Sequence, residues 1–113
     1  MGTKITNGLA VALCMALVLF MSGSALADAA QGKKVFSTYC VACHGESGTG
    51  DGPAAAALDP KPRDLTTGDF KYGGTDEALF KFITEGKGPM PPWDSLSEAD
   101  RRAVIEYIRR LKK

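Results

Sequence analysis

Apolar residues recur at helical spacing in three separate stretches of this chain, and the residues bounding each stretch mark its ends. Val35, Phe36 and Tyr39 predict a helix over 29–43, with Asp28 placed to cap it. Leu79, Phe80 and Ile83 predict a second over 76–85. Thr75 stands at its N-cap, Asp76 and Glu77 suit the positive end of its dipole, and Gly86 is placed to end it. Val104, Ile105, Tyr107, Ile108 and Leu111 predict a third over 98–112. Ser97 caps it, Asp100 completes a variant of the capping box, and Arg109, Arg110, Lys112 and Lys113 lie at its negative end. Residues 45–74 are rich in glycine and proline and read as a long loop, interrupted by a short helix at Pro53–Leu58 with proline in its first turn. Gly88 to Trp93 is a proline-locked segment. No strand pattern, internal repeat or second domain is present, so the expected fold is all-α.

A fourth apolar stretch has a different character. Leu9 to Phe20 is unbroken, follows Lys4, and leads through Ser22, Gly23 and Ser24 to Ala25-Leu26-Ala27. That is the order of a secretory signal peptide and its small-residue cleavage site, so residues 1–27 are expected to be removed and 28–113 to form one domain. The run is shorter than the roughly 20 residues that span a bilayer, and no stable membrane insertion is expected after cleavage. An uncleaved anchor is the alternative, since no charge separates Lys4 from Asp28. Cys14 lies within the apolar run, without the small residues of a lipid-attachment site.

Cleavage removes Met1, Met15, Met21, Cys14 and Lys4. The remaining domain keeps two cysteines, one methionine and the chain's single histidine, and its formal charge is balanced. A balanced chain gives no support for nucleic-acid binding. So small a domain also buries little core unless a disulfide, metal or cofactor adds to it.

Cys40-Val41-Ala42-Cys43-His44 is C-x-x-C-H, the attachment signal for a c-type haem. Two cysteines three apart at a helix end can reach two vinyl groups on one porphyrin edge and add to them as thioethers. The next residue, His44, is thereby held beneath the ring as proximal iron ligand. A redox dithiol would need a βαβ setting that this chain lacks, and a zinc site would need a fourth ligand. One covalent haem c, with its iron, is therefore expected on Cys40, Cys43 and His44.

The second axial ligand must come from elsewhere, and a second histidine does not exist. Met90 is the only methionine of the exported domain and sits in Gly88-Pro89-Met90-Pro91-Pro92, where prolines fix the backbone on both sides. It is the expected distal ligand. A lysine such as Lys87, or an open sixth position, is the alternative. Pro53 or Pro60 is expected to offer a carbonyl to His44 Nδ1. Trp93, Tyr72 and Arg63 are candidate donors to the haem propionates. Gly48, Gly50 and Gly52 are expected to let the backbone pass close to the porphyrin. Gly32 and Phe36 share one face of the first helix, where Val104 and Tyr107 could pack.

Taken together, Gly32, Phe36, the Cys40–His44 motif, the glycine-rich run from Gly45 to Pro53, Met90-Pro91-Pro92-Trp93 and a last helix bearing Tyr107 resemble the small bacterial class I c-type cytochromes. The resemblance covers residues 29–112. It implies crossed N- and C-terminal helices around a covalently bound haem with one exposed edge, His44 and Met90 as axial ligands, and electron transfer as the task. The expected protein is a periplasmic one-electron carrier and not an enzyme, with redox proteins docking transiently at the haem edge. The alternatives are an electron-input subunit of a larger oxidoreductase and, with an open sixth site, a peroxidase or gas sensor.

Overall fold

The computed structural model describes residues 28–113; the expected signal peptide lies outside the described residues. Helix α1 occupies 28–39, α2 Val41–His44, α3 Asp76–Glu85 and α4 Glu98–Arg110, with a 3-10 turn at Ala55–Ala57. Among the described residues there is no strand, only an isolated antiparallel bridge between Lys87 and Met90.

The ends of the helices follow from their capping residues. Ala78 N–H donates to Thr75 Oγ1 at 3.1 Å, and Gly86 N–H closes α3 on the Phe82 carbonyl at 2.8 Å. Asp100 N–H donates to Ser97 Oγ at 3.1 Å, which is half of the expected capping box. The Asp100 carboxylate turns instead to Gln31 Nε2 of α1, 3.2 Å away, so this acid links two helices. The first helix ends earlier than its apolar spacing suggests. Cys40 sits in a turn with φ −112°, and α2 restarts beyond it. The short helix expected at Pro53–Leu58 contracts to one 3-10 turn.

Val35 and Phe36 of α1, Leu65 of the long loop, Leu79 and Ile83 of α3, and Val104, Ile105 and Ile108 of α4 form one buried core. Phe36 and Val104 are its most enclosed side chains, at 1% and 2% exposure. Helices α1 and α4 cross at Gly32, where a Cβ would overlap the Ala103 carbonyl. The Phe36 and Tyr107 rings lie tilted beside the crossing, centroids 5.3 Å apart. Arg109 then ties α4 to the start of α3 by bonding the Asp76 carboxylate and the Gly74 carbonyl.

Candidate functional site

A four-residue helix cannot satisfy its own last carbonyls. In α2 those carbonyls belong to Ala42, Cys43 and His44, and the loop beyond satisfies all three. Ala54, Gly52 and Gly50 donate their backbone N–H groups to them at 2.9, 3.1 and 2.8 Å. The loop must therefore lie against the helix. Gly48, Gly50 and Gly52 allow this by giving space to the chain itself. A Cβ at 52 would stand 2.6 Å from the Val41 carbonyl oxygen, at 50 2.5 Å from that of Pro62, and at 48 2.7 Å from Leu111 Cδ1. This is a protein-to-protein reason for the three glycines, beside the expected approach to a porphyrin.

His44 ends α2 with its imidazole largely enclosed. Its Nδ1 stands 3.1 Å from the carbonyl oxygen of Arg63. A carbonyl only accepts, so the proton is on Nδ1 and Nε2 carries the free lone pair. The expectation that Pro53 or Pro60 supplies this carbonyl is corrected: the loop brings Arg63 round, because Leu65 N–H bonds the Gly48 carbonyl at 2.7 Å and pulls 62–65 onto 44–50. Burial pushes the His44 pKa down, against the opposing effect of the Arg63 carbonyl, which favours the neutral imidazole that a metal requires.

Cys40 and Cys43 carry unbridged thiols, both partly buried. Burial, with Cys43 adding to it, pushes the Cys40 thiol up to about 11. Among the described residues, no three His, Cys, Asp or Glu side chains converge as a metal ion would need. The donor set fits a haem instead: two thiols on one short turn, followed by an imidazole whose Nδ1 is engaged and whose Nε2 is free.

Met90 is carried by the segment that follows α3. Gly86 turns the chain out of α3 with φ 65°. Lys87 and Met90 then exchange both backbone hydrogen bonds, at 3.0 and 3.1 Å, closing a four-residue turn. Trp93 N–H anchors the far side to the Ile83 carbonyl at 3.0 Å. Met90 and Cys40 both pack against the one hydrophobic core. Tyr39, next to Cys40, meets Trp93, three residues past Met90, with ring centroids 5.4 Å apart. The segments bearing the cysteines and the methionine are thus joined by an aromatic contact.

Of the candidate propionate donors, Arg63 has its guanidinium engaged with this chain, while Tyr72 and Trp93 make ring contacts. Tyr72 stacks on Phe82 at 5.1 Å, with the Lys87 ammonium 4.1 Å from its ring centre. The guanidinium of Arg63 holds Asp69, its Nε bonding the backbone carbonyl at 3.0 Å and Nη2 the carboxylate at 2.9 Å. Sequence reasoning missed the grip on Asp69 and the backbone role of Arg63. The run Asp64-Leu65-Thr66-Thr67-Gly68-Asp69, rich in residues that bond their own backbone, was the signal that could have found a structured loop there.

Residues 27–108 match the family described as cytochrome c oxidase, cbb3-type, subunit III. The Cbb3-type cytochrome c oxidase subunit CcoP of Azospirillum brasilense is 36% identical over 87 residues, covering 75% of this chain and 29% of that protein. Chloroplastic cytochrome c6 of Chlamydomonas reinhardtii is 32% identical over 105 residues, covering 92% and 68%. A chain of the Kuenenia stuttgartiensis reducing HAO-like protein complex superposes with a TM-score of 0.69 at 35% identity, over 73% of this chain and 41% of that one. The chain spans less than a third of the length of these CcoP and FixP relatives. The helical fold, the crossed α1 and α4, and these matches agree: the chain belongs to the cytochrome c family of cbb3-type subunit III and cytochrome c6, small class I c-type cytochromes that bind haem c covalently and carry electrons.

Proposed function

We propose that this protein is an exported, periplasmic one-electron carrier. In this reading its haem is anchored by Cys40 and Cys43 and ligated by His44 and Met90. The observation that carries it is the state of His44. Its Nδ1 stands 3.1 Å from the Arg63 carbonyl and burial pushes its pKa down, an arrangement that leaves Nε2 to ligate. Bound haem supplies a one-electron Fe(III)/Fe(II) couple. The chain contributes the rest. The cysteines anchor one porphyrin edge, α2 and its loop orient the imidazole, and the closed Lys87–Met90 turn presents a thioether with little entropy left to lose. With both axial positions held by side chains, small molecules are kept from the metal. Redox partners would dock transiently at the exposed haem edge over a small interface.

A second reading is an electron-input subunit of a larger oxidoreductase. It is supported by the relatives named as subunits of Cbb3-type oxidases and by the likeness to a chain of the HAO-like complex.

The test is a visible spectrum of the purified protein in both redox states, with and without carbon monoxide. A carrier gives a low-spin spectrum that carbon monoxide leaves unchanged at neutral pH. Rapid carbon monoxide binding with peroxide turnover points to a peroxidase or gas sensor. Copurification with a large oxidoreductase separates the second reading from the first.

A further inference from the structure

The carbonyl facing His44 belongs to the peptide that joins Arg63 to Asp64, and it lies in an irregular loop with no helix or strand to hold it. The side chains of both residues of that peptide grip the same loop farther along. Arg63 reaches Asp69 with two prongs, Nε to the carbonyl at 3.0 Å and Nη2 to the carboxylate at 2.9 Å. Asp64 Oδ1 accepts from Thr66 N–H at 2.8 Å and from Thr66 Oγ1 at 2.7 Å. Thr67 completes the loop by accepting from Asp69 N–H at 3.1 Å. The peptide plane is thus fixed from both ends, and its carbonyl with it.

Stability alone does not account for the grip on Asp69. The two side chains are 43% and 79% exposed, and ion pairs so exposed contribute little to folding. Their effect is on orientation. A two-pronged hold needs the planar fork of arginine, which lysine does not have.

Resting on the reading of His44 as a haem ligand, we propose that Arg63 is a positioning residue: clamped on Asp69, it holds its own carbonyl against His44 Nδ1 and so helps set the reduction potential. A firm hydrogen bond from Nδ1–H makes a ligating imidazole a stronger donor, which favours Fe(III). Loosening the clamp weakens that bond and raises the potential.

The experiment uses the haem-loaded protein as wild type, Arg63→Gln, Asp69→Ala, the double variant and Arg63→Lys. Two quantities are read: the reduction potential by spectroelectrochemical titration, and solvent exchange of the His44 Nδ1–H by NMR of the reduced form. Arg63→Gln and Asp69→Ala each raise the potential and speed exchange by roughly fivefold, the scale of one exposed ion pair. The double variant goes no further than the larger single change, because both act through one clamp. Arg63→Lys recovers only part of the wild-type values. A shift in Arg63→Gln with none in Asp69→Ala overturns the proposal, since the guanidinium then acts elsewhere, as on a propionate. Unchanged variants with His44 still ligated overturn the clamp alone. A wild-type spectrum without a ligated His44 removes both the clamp and the reading beneath it.

Discussion

Gly32 of α1 lies directly against the backbone of Ala103 in α4. A Cβ on residue 32 would overlap the Ala103 carbonyl and stand 2.9 Å from Tyr107 Cβ. The obstacle is mostly main chain, which cannot swing aside as a side-chain tip can. Gly32→Val therefore forces the helices apart beside Phe36 and Val104. The expected cost is about 2 kcal/mol, the ordinary scale of overpacking. Guanidinium unfolding of the haem-loaded protein checks it: the midpoint should fall with the slope unchanged. An unchanged midpoint would show that the crossing yields.

Covalent haem attachment should depend on both cysteines together. Cys40→Ser with Cys43→Ser is expected to abolish it, as acid–acetone extraction of denatured protein would reveal. Haem extracted cleanly from wild type would end that assignment.

Folding should depend on the haem as well. Among the described residues the contiguous buried core holds eight side chains, and buried apolar area contributes roughly 25 cal/mol per Å². The chain without haem is expected to be largely unfolded. Its near-UV circular dichroism should be flat, with no cooperative thermal transition.

Met90→Ala is expected to open the iron to carbon monoxide, remove the weak far-red band of a thioether–Fe(III) bond, and lower the reduction potential, because a soft ligand favouring Fe(II) is lost. Axial ligand and surroundings together tune haem potentials over roughly 0.8 V, so the change should be easy to read. Carbon monoxide still excluded, with the band absent already in wild type, would point to a lysine at the sixth position. Lys87 would then have to leave the Tyr72 ring.

Asp64 gives a pH dependence with a definite sign. The Thr66 hydroxyl and then the Thr66 backbone N–H hold its carboxyl below the usual carboxylate value. Its folded pKa is lower than its unfolded one, so its stabilisation is complete above about pH 4 and is lost as pH falls through the folded value. The difference in urea midpoint between wild type and Asp64→Ala should therefore narrow between about pH 7 and about pH 3. A gap that stays constant or widens would contradict it.

The helices were legible because each carries its own instructions. Thr75, Ser97 and Gly86 act as their types and positions suggest. Cys40–His44 was legible because three reactive side chains at fixed spacing admit few uses. The end of α1 was not, since Val35, Phe36 and Tyr39 continue in phase towards a turn that begins at Cys40. The acceptor for His44 was not legible either. Every residue has a carbonyl, so composition cannot single out Arg63; the choice is made by how the Gly48–Leu65 bond folds the loop back. Arg63 also misleads by type, because an arginine near a cofactor suggests its guanidinium as the useful group, whereas here its main-chain oxygen meets the imidazole.

The reciprocal hydrogen bonds between Lys87 and Met90 make the methionine part of a stiff tip instead of a loose tether. That tip is rooted at Gly86 on one side and at the Trp93–Ile83 bond on the other. Any shift of the Met90 backbone must carry the whole turn with it. Were Met90 to hold the haem iron, the same stiffness would limit backbone movement at the ligand as the iron changes charge, and little nuclear reorganisation would accompany each electron. A methionine on an open, unpaired loop would relax between the two oxidation states, and each transfer would be slowed by that motion.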